Sequence, residues 1–193
     1  MKREFIVFDT ETNGTSNCSV LSVAFIKLQY DFELNKLEKI SDYYRFYYRE
    51  PQESPNYGAL KVNGLYDEVI KEKRISADYP LYFKDDIEDL KKFIGNSKHF
   101  IAHNISFDRN FIPFRLKYQF CTMNENVDIV KISKGNGYKW PKLLELAEFY
   151  QVPYDNEKLH DSYYDTLILA RIVYKMFKND KGKEKLFYFL NKN

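Results

Sequence analysis

Four consecutive apolar residues, Phe5-Ile6-Val7-Phe8, run straight into Asp9-Thr10-Glu11-Thr12, and that junction constrains the fold more than any other part of the chain. The run is too short for a buried helix and rich in strand formers, so it reads as a strand buried on both faces. Asp9 then stands at the end of a central strand. Side chains of an extended chain repeat every second residue, so Asp9 and Glu11 point the same way, at the carboxyl end of a strand, where open α/β sheets collect ligands. Such a pair of carboxylates suits a hard divalent cation. A turn closed by Gly14 would use the same Asp, Thr and Asn residues, and the pair alone does not separate the two readings.

Two distant segments carry further acids in comparable places. Ile101 to Phe111 reads IAHNISFDRNF. A short strand at His99 to Ala102 is expected to give way to a helix capped by Ser106 and carrying Phe107, Phe111 and Phe114, with Asp108 in its first turn. An acid there also complements the helix dipole without any metal. From Leu159 the chain reads LHDSYYDTLILARIVYKMF, in which Leu169, Ile172, Val173, Met176 and Phe177 follow helical spacing and define a core-facing stripe. Asp165 shares that stripe. A carboxylate aimed inward must be paired, protonated or bound to a cation, and positions 161, 162, 168 and 169 offer no lysine or arginine one turn away. His160 falls in the loop or first turn that feeds the same place, a position that also suits an exposed helix end.

The three segments resemble the three motifs of the DEDD superfamily of 3'-to-5' exonucleases, in the branch that carries a histidine, similar to the proofreading subunit of bacterial DNA polymerase III. Asp9 and Glu11 match the first motif, Asp108 the second, and His160 with Asp165 the third. The other branch places a tyrosine four residues before the last aspartate, where this chain has Asp161. The resemblance extends through Lys61 to Leu65 and Lys142 to Val152, with Asn63 standing where relatives often carry histidine. It implies a ribonuclease H-like α/β fold, a mixed five-stranded sheet flanked by helices. It implies that Asp9, Glu11, Asp108 and Asp165 hold two divalent ions, Mg or Mn, about 4 Å apart. His160 would act as the catalytic base, and nucleoside 5'-monophosphates would leave the 3' end of single-stranded DNA or RNA. By the same resemblance Thr12, Leu65 and Phe107 line the terminal nucleotide, Thr10 and Asn104 lie beside it, and a DNA polymerase is a further partner. The rival readings are a non-catalytic nucleic-acid or polymerase-binding module on the same fold, and a different metal enzyme such as an endonuclease or phosphatase.

A chain of 193 residues with 44% hydrophobic and 30% charged residues suits one domain with a full core. We expect the exonuclease domain to span 1–178 and the C-terminal extension, 179–193, to pack on it through its LFYFL cluster. Cys18 and Cys121 lie far apart without metal-type spacing, as in a reducing cytoplasm, and no stretch reaches membrane-spanning length, so the expected setting is cytoplasmic with no membrane partner. The net charge of +2 announces no strongly basic surface, which is compatible with an enzyme that neutralises phosphate through metal ions.

Strands are expected at Val20 to Leu28 and Asp42 to Arg49, joined by a polar connection at 31–39. The latter strand would alternate Tyr43, Arg45, Tyr47 and Arg49 with Tyr44, Phe46 and Tyr48, as a charge-protected sheet edge more readily than a polynucleotide surface. A helix should follow at about Asp85 to Ile94 with Ile87, Leu90 and Ile94 inward, and a short strand at 119–123. SKGNGYKWP lacks phosphate-loop spacing and reads as a flexible connection before a helix starting near Lys142.

Overall fold

The computed structural model describes residues 1–192. Three long strands come first, β1 (Lys2–Thr12), β2 (Val20–Asp31) and β3 (Lys36–Phe46), followed by helices α1 (Tyr57–Asn63), α2 (Asp67–Lys73) and α3 (Ile87–Ile94). Strand β4 (His99–Ala102), helix α4 (Ile105–Asp108), strand β5 (Tyr118–Cys121) and the short helices α5 (Thr122–Glu125) and α6 (Val127–Val130) come next. A small hairpin of β6 (Ser133–Lys134) and β7 (Gly137–Tyr138) precedes α7 (Leu143–Phe149), α8 (Ser162–Met176) and α9 (Asp180–Leu190). The main sheet has the order β3-β2-β1-β4-β5. Its first three strands are antiparallel, and β1, β4 and β5 are parallel. This is the mixed five-stranded α/β sheet of the ribonuclease H-like fold, with β1 at its centre.

Alternation along β1 divides the core and also aims the acids. Phe5 and Val7 pack on one face against Ile168, Leu169, Ile172 and Met176 of α8, whereas Ile6 and Phe8 pack on the other against Leu90 and Ile94 of α3. Continuing the alternation sends Asp9 and Glu11 toward α8 and Thr10 the opposite way. Helix α9 closes the α8 side through Leu186, Phe189 and Leu190. There Tyr30 of β2 stacks on Phe177 with ring centroids 4.1 Å apart, and Phe187 meets the edge of the same tyrosine. A Cβ on Gly182 would lie 2.8 Å from the Met176 carbonyl, so only glycine permits this close turn from α8 into α9.

Several local expectations change. Strand β3 begins at Lys36 and ends at Phe46, because Asp31 accepts the backbone N–H groups of Glu33 and Leu34 and closes a tight reversal where a longer polar connection was expected. The polar residues 36–39 are an exposed edge strand, a setting in which polar composition conceals the pairing. Asn104, with φ of +60°, begins α4 in place of Ser106, and the chain passes into a 3-10 turn at Arg109–Phe111 without extending to Phe114. SKGNGYKWP holds the β6–β7 hairpin.

Strand β3 is an edge strand, as expected, but its aromatic and basic face is buried and paired where a solvated face was expected. Tyr43 and Tyr47 are buried and donate their hydroxyls to Asp86 at 2.9 and 2.8 Å. Arg45 donates to both oxygens of Asp86 at 2.7 Å and to Asp89 at 2.6 Å. Asp86 is 2% exposed and ties β3 to the start of α3. Replacing Asp86 by Ala would leave two buried phenol hydroxyls without their carboxylate and the Arg45 guanidinium with Asp89 alone, and we expect a loss of about 3–5 kcal/mol in denaturant unfolding. Asp89→Ala, which removes only the more exposed partner, should cost about 1 kcal/mol or less.

Candidate active site

Asp9 and Glu11 lie within β1, which continues past them to Thr12. The β1–β2 register shifts between Glu11 and Thr12, the kind of irregularity that bends a strand and disrupts its ladder. The first turn of α8 comes to meet it. Asp161 caps the helix, accepting the N–H groups of Tyr163 and Tyr164 at 3.0 Å, and takes the Tyr44 hydroxyl of β3 at 2.6 Å. The hydroxyls of Ser22 on β2 and Ser162 on α8 are 2.6 Å apart. These contacts fasten the helix start to the sheet and bring Asp165 to Glu11.

One carboxylate oxygen each from Glu11 and Asp165 and one ring nitrogen of His160 lie within 4.8 Å of one another. His160 is exposed and left-handed, with φ of +64°, a conformation that costs a non-glycine residue about 1–2 kcal/mol. Its backbone N–H donates to Asp165 Oδ2 at 3.2 Å, which folds the loop over the acids. Asp108 enters from the other side. It is 2% exposed, and its Oδ1 accepts both the N–H and the hydroxyl of Thr10, at 3.0 and 2.8 Å.

The four carboxyls burden one another. Burial raises Asp9 well above the ordinary carboxylate range, with Asp108, Glu11 and Asp165 adding repulsion. Burial, then Asp165 and Asp108, push Glu11 up to about 8, against a hydrogen bond from Asn63. Burial raises Asp108 to about 7 despite the bonds from Thr10, and Asp165 to about 6 despite that from His160. Among the described residues no lysine or arginine pairs with these four, and Lys73 reaches Asp161 instead, at 4.0 Å. Asp165 Oδ1 is buried without a hydrogen-bond partner. An all-carboxylate donor set with an orphaned oxygen fits a hard divalent cation.

Of the other residues singled out in the sequence, Thr10 is buried and its hydroxyl is committed to Asp108, which makes it a support for that carboxylate where substrate contact was expected. Thr12 is likewise buried, and its hydroxyl donates to the Gly14 carbonyl at 2.5 Å. Asn104 is exposed, and Phe107 is half-buried against Phe111. Leu65 lines a cavity of about 520 Å³ between α1–α2 and the start of α8, alongside Asn63, Tyr44, Tyr163 and His160. The acids themselves do not line this cavity, which meets them through His160. Asn63 escaped the sequence reading as a working residue. It donates to the Thr12 carbonyl at 3.0 Å and accepts the Leu65 N–H at 3.0 Å, tying the end of β1 to the residue after Gly64. The cap role of Asp161 was not read from the sequence, although an Asp directly before an apolar helical stripe is an N-cap signature.

The raised carboxyls give the metal-free protein an unusual pH response. Each retains its proton to higher pH when folded than when unfolded, so their contribution is fully present below about pH 4 and lost as pH rises toward 8. In thermal melts with chelator, stability should therefore decline from pH 5 to pH 8. Added Mg or Mn should raise the melting temperature most at the alkaline end, and a flat metal response across that range would contradict the crowding.

Residues 6–173 match the family model described as Exonuclease, of the RNase T type. The chain is 30% identical over 186 residues to a PolC-type DNA polymerase III of Caldanaerobacter subterraneus subsp. tengcongensis, covering 92% of this chain and 12% of that protein. It is 26% identical over 196 residues to the DNA polymerase III subunit epsilon of Buchnera aphidicola, covering 96% of this chain and 76% of the relative. The chain thus spans about an eighth of the PolC-type relatives it matches. Among solved structures, the nuclease domain of 3'hExo, a DEDDh family member bound to rAMP, superposes with a TM-score of 0.67 at 11% identity, covering 93% of this chain and 94% of that one. The order of acids and histidine along the chain, the sheet that carries them and the family match agree, and the chain belongs to the exonuclease family.

Proposed function

We propose that the protein hydrolyses DNA from the 3' end, one nucleoside 5'-monophosphate at a time, with Asp9, Glu11, Asp108 and Asp165 holding two divalent ions, Mg or Mn, and His160 serving as general base. The observation that carries this reading is the convergence of four partly or fully buried, mutually repelling carboxyls that no lysine or arginine of the described residues pairs with, one with an unpartnered oxygen. A module that only bound nucleic acid would gain nothing from acids aimed at a phosphate backbone.

Bound divalent ions supply charge neutralisation for the phosphate and acidify water. The chain's own residues orient the rest. Thr10 fixes the rotamer of Asp108, and the His160 N–H fixes Asp165, leaving Oδ1 free. The His160 ring, exposed beside Glu11 and Asp165, is placed to accept a proton from the attacking water. The water oxygen forms a bond to phosphorus as the bond from phosphorus to the 3'-oxygen of the preceding nucleotide breaks. In this reading Leu65 and Phe107 offer apolar surface to the terminal nucleoside, Thr12 and Asn104 lie in the same motifs as the acids, and Thr10 acts through Asp108. The polymerase relatives support a DNA polymerase as partner and, with two free cysteines, a cytoplasmic setting.

With a 5'-labelled single strand and Mg or Mn, we expect a ladder of stepwise shorter products, and a single internal cut would favour an endonuclease. Matched RNA strands, run in parallel, should be degraded more slowly. Asp165→Ala should keep the fold and lower turnover by a factor on the order of a thousand or more, since the carboxylate set acts as a unit. For His160→Ala we expect a loss of about 10²–10⁴ in kcat with metal binding retained in calorimetry. Loss of metal binding in that variant would make His160 a ligand and remove its role as base.

A further inference from the structure

The β6–β7 hairpin precedes α7 and buries little of its own surface. Residues 133–138 and Trp140 are exposed, the indole to 68% and the Tyr138 ring to 50%. Ser133 pairs with Tyr138 and Lys134 with Gly137, and the Lys139 N–H extends the ladder to the Ile132 carbonyl. Gly135, with φ of +58°, takes the first corner of the two-residue turn, as tight hairpins require. In such a ladder Tyr138 and Trp140 fall on one face and Lys139 on the other. Lys139 is spent on Glu145, but Lys131, Lys134 and Lys142 are exposed and have no carboxylate partner in any ion pair of the described residues. Two outward aromatic rings among uncommitted lysines are unlike a surface that merely closes a core.

The root of the hairpin is fixed to the site. The His103 imidazole lies 3.2 Å from the Thr122 hydroxyl and bonds the Pro141 backbone, and burial pushes its pKa down to about 4, so it is a neutral structural ring. Ile6 pairs with Phe100 and Val7 with Ile101, so His103 follows directly on β4, the strand beside β1, two residues beyond the last pair as Asp9 is two beyond Val7. Trp140 is thus one residue from an anchor that sits one strand away from the first acid. Asn104, the next residue along, begins α4 and positions Asp108.

We propose that this hairpin is a stacking platform for single-stranded polynucleotide upstream of the cleaved end, with Tyr138 and Trp140 against successive bases and Lys131, Lys134 and Lys142 along the phosphates. It extends the exonuclease reading, on which it rests, from the terminal nucleotide to the strand behind it. Base stacking on aromatic faces tolerates any sequence, as a processive degrading enzyme needs, and lysines outside the acidic pocket supply the cationic surface that the pocket lacks.

Trp140 is the single tryptophan of the chain, so its emission reports on the hairpin directly. The full chain, held with chelator, is titrated with oligothymidylate about 20 nucleotides long and, separately, with a trinucleotide that fills only the site of cleavage. The long strand should quench Trp140 and the short one should not. Trp140→Ala should raise KM for the long strand about tenfold, an amount ordinary for one stacked base, while kcat and trinucleotide hydrolysis stay within about twofold. Lys131→Gln with Lys134→Gln should lower the salt dependence of binding by about 1.4 in log–log slope, about 0.7 per phosphate contact. Hydrolysis of both substrates with unchanged Trp140 emission and unchanged KM in the variants overturns the platform, leaves the exonuclease reading intact and assigns the face to a protein partner. Quenching without hydrolysis of either substrate upholds the platform and removes the exonuclease reading.

Discussion

Mutual repulsion among Asp9, Glu11, Asp108 and Asp165 is the constraint around which the molecule is organised. Carboxyls brought this close in a partly buried place hold protons that isolated acids would release near pH 4, and every shift is led by burial. Among the described residues no lysine or arginine pairs with them to relieve the crowding. Instead the structure spends neutral donors on it. Thr10 gives two hydrogen bonds to Asp108, the His160 backbone gives one to Asp165, and the Asn63 amide restrains Glu11. These bonds fix orientation without supplying charge, which suits a pocket whose charge balance comes from outside the chain.

The rest of the fold can be understood as support for that pocket. Strand β1 is central and its apolar half, Phe5 to Phe8, is inaccessible to solvent, so the positions of Asp9 and Glu11 are set by packing on both sheet faces. Helix α8 must begin at one particular place for Asp165 to arrive, and it is held there from three directions: the Asp161 cap with Tyr44, the Ser22–Ser162 hydroxyl pair, and the apolar stripe that binds the helix to β1 and β2. On the opposite face the Asp86 network holds β3 and α3 together. Its buried charge is fully paired, whereas the charges of the pocket are not. That contrast separates an acid used for structure from acids reserved for a ligand.

The pocket and the hairpin divide the electrostatic work. A strongly basic surface beside the four acids would pair with them and occupy the cation site, and the net charge of +2 reflects that restraint. Uncommitted lysines appear on the hairpin, away from the acids but tied to them through His103 and the β4 register. The exposed Trp140 and Tyr138 occupy the same element, so the features that suit a flexible anionic polymer are gathered there.

Much of the site was legible in the sequence because its parts obey local rules. An apolar run ending in alternating acids, an Asp on an inward helical stripe, and a short strand leading to an acid in a first turn each follow from periodicity, and His99 to Ala102 proved to be a strand with the bounds expected. Features that depend on pairing across the chain were not legible. The extension of β3 to Lys36 rests on a hairpin partner, β2, and the burial of Tyr43 and Tyr47 and the capture of Arg45 rest on Asp86, about 40 residues away, whereas a solvated edge has the same composition. Thr10 looked like a neighbour of substrate because nothing in its local sequence shows that Asp108, 98 residues later, claims its hydroxyl. The sequence by itself determined which residue types are available and which face of each element they occupy, since 2.0 and 3.6 residue periods are properties of the backbone. Only the tertiary structure decided that Glu11, Asp165 and His160 share one small volume and that no lysine or arginine of the described residues pairs with its acids, because distances between elements are set by packing and pairing that no local pattern encodes.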